Sequence, residues 1–301
     1  MFTENRIALS ELASQLGLDL RRDAEIAYVG KVPTRLPGRL VPAGKQIHLD
    51  QAASATGIAA FVVPEDLLPA LPYEVGVLVS EKPVVTAQAI HEHLCGRPGF
   101  LWRDFDSRIH PTVTIMPGAY VAPHNVEIGP GSIIGPNAVI LERTIIGAGC
   151  QIGATVVVGM EAFEHKAEAD PKVLLTQAGG VWIGDHVTLL PGCTIARSTF
   201  GGFNRIGAET KIDAQTYVAH DCVIGERVTI CACCDISGRV EIGDEAYLGP
   251  NCTISNGIRI GTKAIVSLGA VVTRDVNENS RVTGNFALPH EKWLSILRDY
   301  R

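Results

Sequence analysis

The chain has 301 residues, 46% of them apolar, and a formal net charge of -6, which is length enough for two domains with filled cores. The acidic balance argues against nucleic acid as the main partner. Met1 to Ser10 hold no apolar leader core, and no apolar run approaches the roughly 18 residues of a spanning helix, so a cytoplasmic protein with no integral membrane segment is expected.

Leu9, Leu12, Ala13 and Leu16 stand at helical spacing, with Gly17 placed to end the helix in the left-handed region. Extended stretches follow at Ile26 to Val29, Ile58 to Val63 and Val75 to Val79, parted by Pro- and Gly-bearing turns. Pro83 opens a second helix that runs to Cys95 and stops at Gly96. Residues 1–104 are therefore expected to form a small mixed α/β domain, for packing, assembly or substrate binding, with Gly96 to Ser107 as the linker.

From there a period of six takes over. Branched aliphatics stand at Ile128, Ile134, Ile140, Ile146, Ile152 and Val158, and again at every sixth residue from Ile206 to Val272. Four residues after each comes a mostly small side chain, as at Thr210, Thr216, Cys222 and Cys234. Six is neither the helical 3.6 nor the strand period of 2; it is a hexapeptide repeat in which three hexads close one triangular coil of a parallel β-helix. The aliphatic then points inward and the small residue fills the space beside it. A seven-residue step from Val121 to Ile128 marks one inserted residue, residues 160–180 leave the pattern altogether, and a further slip runs from Ser198 to Asn204. The long insertion must leave the prism at a corner, as a functional lid or a plain loop. The domain is thus expected over residues 105–276 and about eight coils.

Residues 277–301 are expected to turn and then form a helix from Pro289, with Trp293, Leu294 and Leu297 covering the open end of the prism. From Arg259 to Arg301 seven basic residues face four acidic ones, a local balance suited to an acidic partner or to ordinary solvated surface.

Of the eight cysteines, Cys150, Cys193, Cys222, Cys234 and Cys252 fall on the small inward position, where a buried, reduced thiol fits. Cys231-Ala232-Cys233-Cys234 lacks a second paired cluster at zinc spacing, so no metal is expected.

A prism has no pocket of its own, so chemistry must come from corners and from grooves between chains. His220 stands at a corner, and Gly238 lies 18 residues on, one coil above it. The pair offers a general base and a backbone N–H for a developing oxyanion; a surface histidine without function is the alternative.

Three motifs reach further: Leu9 to Ala13 as Leu-x-x-Leu-Ala, the coil segment Ile212-Asp213-Ala214-Gln215-Thr216-Tyr217-Val218-Ala219-His220, and the closing Gly284-Asn285-Phe286-Ala287-Leu288-Pro289-His290-Glu291-Lys292-Trp293-Leu294. On these the chain resembles, over nearly its whole length, the hexapeptide-repeat acyltransferases, and more closely the UDP-3-O-acylglucosamine N-acyltransferase family of lipid A synthesis. The resemblance implies a mainly β protein, a left-handed parallel β-helix of hexapeptide repeats with a small N-terminal α/β domain and a C-terminal helix. It also implies a homotrimer with active sites in grooves between chains, and acyl transfer from a phosphopantetheine thioester to a sugar amine. His220 would be the base, Gly238 the oxyanion donor, and Asp213 or Asp221 the group that orients the imidazole. No metal, no permanently bound cofactor and no covalent enzyme intermediate are implied; acyl carrier protein or coenzyme A would deliver the acyl group, and acyl carrier protein would be a partner.

The chain also departs from that pattern. Thr194-Ile195-Ala196-Arg197-Ser198 stands for Thr-Ile-Asp-Arg-Gly, the position of a second histidine holds Gly257 beside Asn256, and Lys45 to His48 replaces a uridine-contacting Asn-Pro-x-Tyr. The acceptor sugar and nucleotide stay open, with Asn256, Phe163 of the insertion and His48 as the expected substrate contacts. A nucleotide-amino-sugar N-acetyltransferase using acetyl-CoA is the nearest alternative, and a non-catalytic scaffold the next. A carbonic-anhydrase-like metal site would need histidine at position 224, which is Ile224.

Overall fold

A computed structural model describes the chain apart from Glu4, residues 33–35, 285–286 and 300–301, and the side chain of Leu297. Asn285 and Phe286 of the closing motif, and the apolar contribution of Leu297, therefore lie outside the described residues.

The N-terminal part is a five-stranded sheet. Its order is Asp19–Arg22, Gly76–Val79, Ile58–Val63, Arg39–Pro42, Tyr28–Val29, with only the first pair antiparallel. Helix α1 (Leu9–Leu16) buries Leu9 and Leu12 and ends at Gly17, whose φ of 66° lets its N–H reach the Ala13 carbonyl. Helix α2 (Gln46–Ala52) and the strand Arg39–Pro42 carry no pattern that marks them in the sequence. Arg39 is buried to 1% exposure and ties three carbonyls together, those of Val32, Leu36 and Thr56. Helix α3 (Pro83–Cys95) starts and stops where Pro83 and Gly96 place it, although Gly96 keeps a right-handed φ of -74°.

Gly96 to Ser107 is a packed strap and not a free linker. Trp102 is buried, and its indole N–H donates to Asn125 Oδ1 at 2.9 Å.

The rest is a three-sided prism of short parallel strands, with eight strands on two faces and nine on the third. Away from the irregular segments, successive coils pair in 18-residue register, as Val218 on Ile236 and Ile236 on Ile254. From Ile128 onward the aliphatic of each hexad is inward and essentially buried, and so, apart from half-buried Ile258, are the residues four positions on, whereas Ile109 and Ile115 of the first coil are exposed. The inward cysteines act as weak donors to the next coil: Cys193, Cys222, Cys234 and Cys252 Sγ reach carbonyl oxygens at 3.1 to 3.2 Å. Burial pushes the Cys222 and Cys234 thiols up to about 12, which leaves them inert.

Between those two positions, three residues after each aliphatic, the chain turns through the left-handed region. Glu209, Gln215, Asp221, Arg227, Cys233, Arg239, Glu245 and Asn251 occupy it in succession with φ between 53° and 63°. A non-glycine residue there costs about 1 kcal/mol or more. Seven of these eight, all but Asp221, recover a backbone bond to the coil before, as Arg239 N–H does to the His220 carbonyl at 2.8 Å and Asn251 N–H to Ala232 at 3.0 Å.

Helix α4 (His290–Asp299) forms where Pro289 predicts it but does not close the prism. None of its described side chains is buried, and Trp293 is 46% exposed. A stripe this narrow gains too little apolar burial to hold the helix against a flat end.

Candidate functional site

Every interruption of the hexad period leaves the prism at one corner, the one that follows the face containing Tyr217–Val218, Asp235–Ile236 and Thr253–Ile254. The inserted residue after Val121, the excursion between Val157–Met160 and Gly180–Ile183, and the slip between Thr194–Ala196 and Phe203–Ile206 all fall there. His220, Gly238 and Asn256 form the regular column of the same corner. The chain thus builds its irregular structure directly beside the histidine.

The long insertion is an ordered hairpin. His165 bridges Leu174, Lys166 N–H bonds the Val173 carbonyl, and Leu175 N–H bonds that of Glu164. It is stitched to α3: Gln88 exchanges two hydrogen bonds with the His165 carbonyl and the Ala167 amide, Glu92 accepts from the Thr176 amide and hydroxyl, and His91 Nε2 donates to the Thr176 carbonyl at 2.8 Å. Leu175, Ala178 and Phe200, from the hairpin and the slip, sink into the N-terminal core. His91 is fully buried, and burial holds its pKa below the ordinary histidine value.

At the corner itself, His220 Nδ1 lies 2.8 Å from Asp221 Oδ2, and Asp221 Oδ1 accepts the Thr199 amide at 3.0 Å. Burial opposes ionisation of Asp221. The hydrogen bond and charge of His220, with Arg239 and the Thr199 amide, outweigh it and hold the carboxyl below its usual range. The acceptor on Nδ1 fixes the tautomer that leaves Nε2 free to take a proton. A Cβ on Gly238 would stand 2.6 Å from His220 Nε2 and 3.1 Å from Asn256 Nδ2, so the glycine clears the space in front of the base. Gly238 is buried, and its N–H bonds no acceptor among the described residues.

The hairpin contributes Glu164, whose Oε2 is 3.7 Å from His220 Nε2. Arg239 holds the same oxygen at 2.8 Å, and Lys31 of the N-terminal domain holds Oε1 at 2.6 Å. Burial opposes charge on Glu164 too, but Lys31, Arg239 and His220 outweigh it and lower its pKa. Three separate parts of the chain thus meet around one imidazole.

The expected residues fare differently. His220, Gly238 and Asn256 come together, with Asn256 Oδ1 accepting from Arg239 Nη1 at 3.5 Å. Asp213 does not reach the imidazole: seven residues earlier, it lies on the preceding corner and accepts the Ala214 amide. The carboxylate that meets the imidazole is Asp221. Phe163 is 78% exposed and packs edge-on to His165, turned away while its neighbour Glu164 faces the site. His48 bonds the Gly44 amide and lines an apolar pocket of about 230 Å³ with Lys31, Val84 and Phe200.

Beside that pocket, across Val32 and Gln51, opens a polar cleft of about 860 Å³ between the N-terminal domain and the prism, walled by Thr56, Arg39, Arg239, Gly257 and Arg259. Sequence reading missed Glu164, Arg239 and Lys31. Arg239 could have been found from its place directly after Gly238 in a left-handed corner; the other two have no sequence signal, since only the fold brings them near.

The cysteine cluster is dispersed. Cys234 points into the prism, Cys231 Sγ reaches Tyr247 Oη and Cys233 Sγ reaches Gln215. Among the described residues no group of three or more His, Cys, Asp or Glu could hold a metal ion, and no helix is long and apolar enough to cross a membrane.

A profile of the bacterial transferase hexapeptide family (six repeats) matches residues 106–140, 125–159 and 205–238. The chain is 30% identical over 194 residues to the acyl-(acyl-carrier-protein)-UDP-N-acetylglucosamine O-acyltransferase of Campylobacter concisus, spanning 60% of this chain and 71% of that protein. It is 37% identical over 163 residues to the UDP-3-O-acylglucosamine N-acyltransferase of Maricaulis maris, spanning 54% of this chain and 47% of that one. With the enzyme of the same name from Herminiimonas arsenicoxydans it shares 25% identity over 319 residues, spanning 93% and 88%.

Proposed function

The chain belongs to the hexapeptide-repeat acyltransferases, whose prism is the left-handed β-helix, and from that premise we propose that His220 directs transfer of an acyl group from a thioester to the amine of a UDP-linked amino sugar. The observation that carries this reading is the stacking of Gly238 on a histidine whose Nδ1 is held by buried Asp221. The acceptor amine attacks the thioester carbonyl while His220 Nε2 takes its proton, Asp221 stabilises the imidazolium, and the Gly238 N–H meets the oxyanion. The imidazolium then returns the proton to the leaving thiolate. Arg259, exposed on the wall of the polar cleft, suits the charge of a nucleotide diphosphate.

The donor is a phosphopantetheine thioester, on acyl carrier protein or coenzyme A. The basic balance from Arg259 to Arg301 favours the acidic carrier protein. The active unit is a homotrimer in which a neighbouring chain completes the acyl groove. Ile133, Leu190, Tyr247 and Leu268, exposed on one face and its following corner, support that packing.

The direct test is His220→Ala, assayed with acyl-carrier-protein and acyl-CoA donors of different lengths against UDP-linked amino sugars. Turnover should fall about 10²- to 10⁴-fold with the fold and assembly unchanged. Wild-type turnover in that variant would refute the mechanism.

A further inference from the structure

Glu164 is unusual in its company. It comes from the hairpin outside the repeat, yet its carboxylate is the charged group that faces the proton-accepting atom of His220, at 3.7 Å. Lys31 and Arg239 occupy one lone-pair direction on each of its oxygens, which leaves Oε2 a second direction toward His220 Nε2. Both side chains are nearly sealed, at 16% and 9% exposure, so a group entering between them loses its water.

The two kinds of acceptor differ in what they bring there. An alcohol carries one proton, which the base removes. A neutral amine carries two, and only one can go to His220. The second would be a buried donor without a partner, a cost of about 1 to 3 kcal/mol in general, unless an acceptor stands beside the base. Two N–H donors on one nitrogen reach acceptors about 4.5 Å apart at ordinary lengths, so a retreat of about 1 Å by the hairpin lets Glu164 and His220 share the nitrogen.

Resting on the acyl-transfer reading, we propose that Glu164 contacts the acceptor nitrogen and selects an amine over an alcohol. In the step, the N–C bond forms as the C–S bond breaks. One amine proton passes to His220 Nε2 and on to the thiolate; the other stays on the product amide, donated to Glu164 Oε2 throughout. Lys31 and Arg239 keep the carboxylate ionised and aimed. They hold it by different oxygens, one from the N-terminal domain and one from the corner.

The test compares kcat/KM of the full-length chain for UDP-3-O-acylglucosamine, which offers an amine, and UDP-N-acetylglucosamine, which offers only hydroxyls. In Glu164→Leu the amine-to-alcohol ratio should fall about 10- to 100-fold, largely in kcat, whatever both acceptors lose together. Glu164→Gln retains an acceptor oxygen and should fall between. Gln88→Ala, which weakens the docking of the hairpin on α3 but leaves Glu164 and both of its cations, should keep the ratio. A wild-type ratio in Glu164→Leu, or in Glu164→Gln should the leucine variant not fold, overturns the inference and leaves acyl transfer standing. A ratio that falls equally in Gln88→Ala also overturns it, since docking alone would then explain the loss. No transfer to either acceptor by the wild-type chain would remove the underlying reading instead.

Discussion

Asp221 and Asp213 are the same residue type eight positions apart, and only one touches the base. The difference is the corner: a hexad spans one face, so Asp213 belongs to the preceding edge, while Asp221 is in the left-handed turn immediately after His220. Replacing Asp221 with Asn should lower kcat by at least about tenfold by loosening the tautomer, whereas Asp213→Asn should leave the rate near wild type; steady-state kinetics on both variants decides. Gly238→Ala is a second check. The backbone there needs no glycine, since its φ is not in the left-handed region, but the new methyl would lie 2.6 Å from His220 Nε2. Activity should be lost with thermal stability near wild type. A stable, fully active alanine variant would show that no substrate atom needs that space.

At the scale of elements, the coil was legible because its inward positions repeat, and the two N-terminal helices α1 and α3 because Gly17 and Pro83 punctuate them. The hairpin was not. Its ends could be read from the loss of period, but its direction depends on α3, whose Gln88, His91 and Glu92 accept and donate to backbone atoms that any sequence would supply. For the same reason the sequence offers Phe163 where the fold turns Glu164 toward His220: adjacent residues of an extended segment face opposite ways, and the sequence does not say which faces in.

The α3–hairpin junction makes a pH prediction. His91 is kept neutral by burial, below its ordinary value near 6.5. Unfolded chains therefore take up a proton there as pH falls below about 6.5 while folded chains do not, and stability declines by up to about 1.4 kcal/mol per pH unit in that range. The carboxyls of Glu92, Glu164 and Asp221, all lowered, keep their contribution there and lose it only at more acid pH. Urea midpoints at pH 7.5 and 5.5 should thus separate for wild type and draw together for His91→Gln.

On the scale of the whole molecule, the proposed trimer predicts a native mass three times that of the 32.1 kDa chain. It should persist on dilution, and Tyr247→Lys should weaken it by setting charge into the apolar face; analytical ultracentrifugation of both chains distinguishes this from a monomer. Helix α4, with Trp293 exposed and no buried described side chain, is where the single chain is most visibly incomplete. Sequence logic assigned that helix to the prism end because an end needs covering, but burial area and not need determines whether a helix docks.

The 18-residue register has a consequence for how such a chain can change. The prism has a reading frame. Adding or removing one complete coil distant from His220 leaves each later inward side chain inward and each corner on its own edge. Losing six residues turns the remainder by one face and would move Asn256 away from Gly238; losing one reverses inside and outside for every strand that follows. Only the edge beside His220 tolerates other lengths: the segments after Val121, Met160, Ala196 and Val272, all out of frame, lie along it. Length variation in this molecule is therefore channelled to the place where it can alter the site without disturbing the coil.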